Sequence, residues 1–218
     1  MGASTGTPLR VVLIEDSPIL RDMLRELLGE LDGVQVVADA IRRHQLPNVV
    51  LDPVMVATSG DRLIAEETVG QLVRELFPLA ALVTPNLDEG GWLLGRQITR
   101  EDELDAAADE LLALGARAVL LKGGHLRGER VVDLLALPGG EHHRLASARI
   151  ATHNGHGTGC TLSSAIAAQL ALGLDLVAAV QAGRRYILGA IAAGAAVRTG
   201  RGHGPLNHGY APVEQVIL

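Results

Sequence analysis

Short apolar runs alternating with helix-like segments predict an α/β fold. The expected architecture is a doubly wound, mostly parallel sheet in three α/β/α layers, with a β-hairpin after the fourth or fifth strand. Three observations carry this. Runs rich in Val, Leu and Ile occur at residues 10–14, 49–51, 81–84 and 118–121, each followed by helix-like sequence. The runs are continuous rather than alternating, as strands buried on both faces require. Residues 130–137 and 144–151 form two further strand-like stretches joined by Pro138, Gly139 and Gly140, a turn sequence suited to an antiparallel hairpin.

The first run, RVVLI, leads through Glu15, Asp16, Ser17 and Pro18 into LRDMLRELLGEL. Asp16 or Ser17 suits the N-cap of that helix, and Pro18 its first turn. Residues 34–44, VQVVADAIRRH, fit a strand over their first four positions or a helix throughout, and so short a stretch leaves both open. The second run ends at Asp52 and a helix follows near residues 65–76. The third runs into TPNLDEGGWLLG, where Asn86 suits a helix cap and Glu89 its capping-box partner. The fourth ends at Lys122, Gly123 and Gly124. Beyond the hairpin, one helix stops near Gly173 and a second covers residues 176–199.

The length of 218 residues suits one core. A net charge of −6 disfavours a nucleic-acid partner, and aromatics at 2% leave little to stack on unpaired bases. The single cysteine excludes an internal disulfide framework and fits a reducing compartment. MGASTGTPLR lacks the layout of a secretory signal, and the Ala-rich stretch near residues 186–198 is broken by Gly and Arg. The expectation is a soluble, cytoplasmic chain whose partner is a small molecule rather than nucleic acid or membrane. A homodimer is one option for its assembly.

The strongest chemical signal is NGHGTGCT at residues 154–161, a Gly-rich loop entering a helix. Glycines let the backbone approach a ligand, and the unpaired amides of a helix start favour an anion. The same dipole favours the thiolate of Cys160. Taken alone, the stretch fits a Gly-rich turn with a buried cysteine equally well.

Five segments, NVVLDPVMVATSGDRLIAEE, VTPNLDE, LLKGGHL, GHGTGCTLSSAIA and GRGHGPLNH, resemble in order those of hydroxymethylpyrimidine phosphate kinases, thiamine-pathway enzymes of ribokinase-like fold. The resemblance implies ATP and Mg²⁺ as cofactors. It implies that Gly157, Thr158, Gly159 and Cys160 form an anion hole, with Cys160 as base toward the substrate hydroxyl. It further implies that Asn86 and Glu89 organise magnesium and triphosphate, that Lys122 meets phosphate oxygens and that Asp52 lies near the metal. Bland readings stand beside these: Asn86 and Glu89 as a capping pair, Lys122 as a strand-end charge, Asp133 as an edge or turn residue, and Trp92 as a packed side chain. His125, His142 and His143 lack metal-ligand spacing and are expected on the surface. Gly90 and Gly91 after Glu89, and Gly155 before the His-Gly-Thr-Gly-Cys run, depart from the family pattern.

Residues 9–40 resemble instead the opening β-α-β unit of a response-regulator receiver, with Glu15 and Asp16 as its acidic pair and as weaker metal candidates. The expectation is therefore one spliced domain, 1–218, in which a receiver-like segment (9–40) joins a kinase-like part (41–218). The corresponding fold is a ribokinase-like and flavodoxin-like hybrid. Such an engineered chimera would keep the ATP or phosphate site with kinase activity lost or strongly reduced. The alternatives are an active ATP-dependent phosphomethylpyrimidine kinase, a magnesium-dependent phospho-acceptor at Asp52, and a scaffold without a ligand site.

Overall fold

The computed structural model describes residues 37–55, 64 and 66–212. The strand expected at residues 10–14, the helix after it, and Glu15 and Asp16 lie outside those residues. The chain divides into two compact units, Met1–Pro47 and Asn48–Leu218. In the first, helix α1 (Val37–His44) resolves the ambiguity of VQVVADAIRRH toward helix from Val37 onward. It buries Ile41, and Asp39 in its first turn with Arg42, Arg43 and His44 in its last complement the helix dipole.

The second unit runs β1 (Val50–Leu51), α2 (Glu66–Glu75), β2 (Leu82–Val83), α3 (Leu87–Leu94), α4 (Leu104–Ala113), β3 (Val119–Leu121), β4 (Arg130–Leu137), β5 (Glu141–Ala148), α5 (Thr158–Ala171) and α6 (Leu176–Gly194). The five strands form one sheet in the order β1-β2-β3-β4-β5. The β1–β2 and β2–β3 pairs are parallel, the β3–β4 and β4–β5 pairs antiparallel. Among the described residues the sheet is therefore mixed, which corrects the expectation of a mostly parallel one. Only residues 122–129 separate β3 from β4. That is too short for the crossover a parallel pair needs, so the chain must turn back.

The hairpin after β3 has its expected first strand. Its second strand starts at Glu141 rather than Arg144, because Gly139 and Gly140 both take positive φ and close the turn tightly enough to pair Leu137 with Glu141. Helix α6 ends at Gly194, short of the expected residue 199. There the tail crosses so closely that a Cβ on Gly194 would lie 2.8 Å from the Pro205 carbonyl oxygen.

Side-chain alternation splits the core into two layers. Val83, Val119, Leu121, Val132 and Leu134 pack with Leu87 of α3 and Leu104, Ala108 and Leu111 of α4. Leu82, Leu120 and Leu135 face the other way, onto Leu162, Ile166 and Leu170 of α5 and Val180 and Ile187 of α6. Helices thus cover both faces, as the α/β/α expectation has it, and β1, β2 and β3 end together at one edge of the sheet. Among the described residues no helix is long and apolar enough to cross a membrane.

Candidate active site

The carboxyl ends of parallel strands form the edge where open α/β sheets bind ligands. Here β1 delivers Asp52, β2 delivers Thr84 and then Asn86, and β3 delivers Lys122. Lys122 Nζ donates to Asp52 Oδ1 at 2.7 Å, and the Thr84 hydroxyl donates to the same oxygen at 3.0 Å. Both charged side chains are largely covered, with 12% and 13% of their surfaces exposed. The second carboxylate oxygen, Asp52 Oδ2, is buried and has no hydrogen-bond partner.

The start of α5 reaches this cluster from the adjoining face. Gly157 caps the helix at φ 80°, a conformation costly for side chains with a Cβ, and Thr158 donates through its hydroxyl to the Gly155 carbonyl at 3.1 Å. A Cβ on Gly159 would stand 3.0 Å from Lys122 Nζ and 3.7 Å from Asp52 Oδ2. Glycine therefore keeps open a space bordered by an ammonium, a carboxylate and a helix N-terminus. Ser163, one turn on, contacts the Thr84 hydroxyl at 2.9 Å and donates to the Gly159 carbonyl at 3.0 Å, locking the helix start to β2. Cys160 is exposed and borders a groove of about 510 Å³ with Thr161, Tyr186 and His208.

Asn86 and Glu89 form the anticipated capping box on α3. The Asn86 side chain accepts from the Glu89 amide at 2.9 Å, and Glu89 Oε2 accepts from the Asn86 amide at 2.7 Å. Yet Glu89 is only 2% exposed, unusual for a cap. Burial pushes its carboxyl above the ordinary value; the Lys122 charge and the Asn86 amide pull the other way. The folded state therefore holds this proton more tightly than the unfolded chain does. Glu89 costs stability increasingly as pH rises from 4.5 through the raised value. Since Gln also completes a capping box, Glu89→Gln is expected to melt no lower than wild type at neutral pH. Its advantage should disappear in thermal melts near pH 4.5. If Glu89 serves a metal, the same variant should lose at least about tenfold in magnesium-dependent nucleotide affinity, by titration calorimetry.

The 123–128 segment after Lys122 is held by Arg149, which donates to the carbonyls of Gly128 at 2.7 Å, Gly124 at 2.9 Å and Leu126. At the other end of the Gly-rich loop, buried Asn154 donates to the Gly194 and Val197 carbonyls at 2.8 and 2.7 Å and accepts from the Gly204 amide at 2.7 Å. That bonding anchors the loop to the end of α6 and to the tail.

His125, His142 and His143 pair with Asp88, Asp109 and Glu141 near the surface, and among the described residues no three His, Cys, Asp or Glu side chains are grouped to hold a metal. Trp92 is half-buried along a cleft of about 960 Å³ with Arg96, His125, Arg127 and Arg130, apart from the start of α5. Asp133 is no edge or turn residue: it is 7% exposed in mid-β4 and paired with Arg184, itself 8% exposed. A carboxylate within VVDLLAL was the available signal, since a charge in a buried run requires a partner.

The sequence profile described as phosphomethylpyrimidine kinase matches residues 27–207. The chain belongs to the phosphomethylpyrimidine kinase family. It is 45% identical to a hydroxymethylpyrimidine/phosphomethylpyrimidine kinase of Rhizobium meliloti, covering 84% of this chain and 68% of that enzyme. To the Escherichia coli enzyme of the same name it is 42% identical, covering 85% and 70%. A thiamine biosynthesis bifunctional protein of Geobacter sulfurreducens is 46% identical over 84% of this chain but 36% of its own length. Among solved structures, a Bacillus subtilis pyridoxal kinase in complex with ADP superposes with a TM-score of 0.73 at 36% identity, covering 83% of this chain and 68% of that one. A phosphomethylpyrimidine kinase of Clostridium difficile gives 0.59 at 35% identity, covering 71% and 62%.

These matches overturn the chimera. The phosphomethylpyrimidine kinase match begins at residue 27, inside the supposed receiver segment and ahead of the supposed junction between residues 40 and 41, and it supports neither the fusion nor a flavodoxin-like hybrid. The family relationship likewise points away from a kinase that has lost its activity and toward the active-kinase alternative. The error has a physical origin. A buried strand, an acidic cap and an amphipathic helix open many doubly wound sheets, so that pattern does not distinguish one family from another.

Proposed function

We propose that this phosphomethylpyrimidine kinase family member transfers the γ-phosphoryl group of ATP to hydroxymethylpyrimidine and to its monophosphate. The observation that carries the reading is the convergence of Lys122, Asp52 and the Gly159-lined start of α5 on one open space. Phosphoryl transfer requires charge neutralisation and in-line positioning more than covalent chemistry. Lys122 neutralises phosphate oxygens on one side, and the amides at the start of α5 receive the charge that develops on the transferring group. Cys160 accepts the proton of the substrate hydroxyl, whose oxygen then bonds to the γ-phosphorus as the bond to the ADP oxygen breaks. Asn86 holds the Glu89 carboxylate in the capping box of α3, within electrostatic reach of Lys122 and Asp52.

Magnesium fits the donors present. Asp52 Oδ2 is a buried oxygen lacking a partner, and the Glu89 carboxylate shares the electrostatic environment of Lys122 and Asp52. Asp52 and Glu89 would hold the ion, which supplies neutralisation of the phosphate oxygens. The implied partners are a nucleotide and a small heteroaromatic alcohol, in a cytoplasmic setting.

Neighbouring structures of pyridoxal kinases, including one from Staphylococcus aureus with AMP-PCP at a TM-score of 0.72, supply a second acceptor to test. ADP release is measured with magnesium–ATP and hydroxymethylpyrimidine, its phosphate or pyridoxal. Acceptor-dependent ADP release with the pyrimidines, at a kcat/KM above that for pyridoxal, is the expected result. Release with pyridoxal alone, or none with any acceptor, would refute the reading.

A further inference from the structure

A buried ion pair outside the phosphate space is bonded to the chain that carries Lys122. Arg184 Nε on α6 donates to Asp133 Oδ2 on β4 at 2.8 Å. Its Nη2 donates to the Val131 carbonyl at 3.3 Å and to the Ser147 hydroxyl at 3.1 Å. The remaining oxygen, Asp133 Oδ1, accepts the amide of Gly123 at 2.9 Å. Gly123 directly follows Lys122 and is pressed so tightly onto β4 that a Cβ there would lie 1.9 Å from the Val132 carbonyl oxygen. On its other side, the Lys122 amide donates to the Pro85 carbonyl at 2.9 Å. The backbone bearing Lys122 is thus pinned before and after its side chain.

Burial of an Arg–Asp pair is by itself weak evidence of a stabilising role, because well-packed apolar side chains commonly serve as well or better. An apolar replacement cannot accept the Gly123 amide. Lysine carries its charge on a flexible four-carbon stem, so the direction in which its backbone leaves β3 limits where the ammonium rests. We propose that the Arg184–Asp133 pair is a positioning device for Lys122. Arg184 fixes the Asp133 carboxylate, the carboxylate fixes Gly123, and Gly123 sets the exit of the chain that keeps Lys122 Nζ on Asp52 and beside Gly159. The nucleotide part of this proposal rests on the kinase reading; the placement of Lys122 does not.

Two double variants separate positioning from packing. D133N/R184M removes both charges but keeps an amide oxygen able to accept from Gly123, while D133L/R184M removes that acceptor as well. Lys122 is the only lysine in the chain, so isotope-labelled lysine gives one side-chain ammonium signal by NMR. In D133L/R184M that signal is expected to move toward the position of an exposed lysine. The KM for magnesium–ATP should rise about 10–100-fold at a temperature well below the melting point, as misplacement of a binding group implies, while the unmade Gly123 bond lowers the melting temperature. D133N/R184M should keep the signal and KM close to wild type. Identical ammonium signals in the two variants would overturn the proposal. Should D133L/R184M fail to fold, D133S/R184M, whose hydroxyl is too short to reach Gly123, carries the same comparison. A wild-type protein that releases no ADP would remove the kinase reading and leave the ammonium comparison intact.

Discussion

Replacing Cys160 with alanine is expected to lower kcat about 10²–10⁴-fold, the usual contribution of a positioned general base. Folding and nucleotide binding should change little. The side chain is exposed at the third position of α5, and exposed substitutions away from special features usually stay within about 0.5 kcal/mol. Pre-steady-state and steady-state measurements of ADP release, with melting curves on the same samples, test both halves. Cys160→Ser should not restore the rate. A hydroxyl keeps the size and hydrogen-bonding capacity of the thiol but does not ionise near neutral pH, where an ordinary thiol already ionises in part. A fall in kcat with an unchanged KM for ATP would identify a group used in the chemical step rather than in binding.

Lys122→Met should be almost as damaging, for a different reason. Removing one group that stabilises developing charge costs about 10²–10³-fold in turnover. The change also leaves the Asp52 carboxylate without its ion-pair partner in a largely covered position, so stability should fall with activity. The two effects separate in the double variant Lys122→Met/Asp52→Asn, which should recover much of the melting temperature and none of the turnover. Lys122→Arg should not substitute. Lysine places a compact ammonium 3.0 Å from where a Gly159 Cβ would stand, and a bulkier planar guanidinium presents its charge with a different geometry. Together with the cysteine variant, this predicts loss of chemistry alone at Cys160 and loss of chemistry, binding and stability at Lys122.

Much of this site was legible because strand ends and helix starts leave local marks. Asp52, Lys122 and the 154–161 loop each sit where an apolar run stops or a helix begins, and the structure brings Asp52, Lys122 and Gly159 to one edge. The parallel β1–β2–β3 order and the helices on both faces followed from the same alternation. What stayed hidden was pairing across long sequence separation. Nothing near Thr84 announces Ser163, and nothing near Asp133 announces Arg184, because such contacts depend on how α5 and α6 lie on the sheet. The reversal at β4 was hidden differently. Strand direction follows from the length of the connection, and residues 122–129 are too few to cross the sheet, a constraint that local glycines do not display. The receiver-like opening misled because it matched a pattern shared by many α/β folds.

On the proposed kinase reading, nucleotide phosphates bind in the space among Lys122, Asp52 and the start of α5. A crystal structure of the protein with magnesium and ADP decides it, because the described residues offer an alternative in the cleft of about 960 Å³ beside Trp92, Arg127 and Arg130. The β-phosphate is expected within hydrogen-bonding distance of Lys122 Nζ and the amides at residues 157–160, with the ion held by Asp52 and Glu89. Phosphates seated instead among Arg127, Arg130 and Trp92, with Lys122 still turned onto Asp52 and no density beside Gly159, would contradict it.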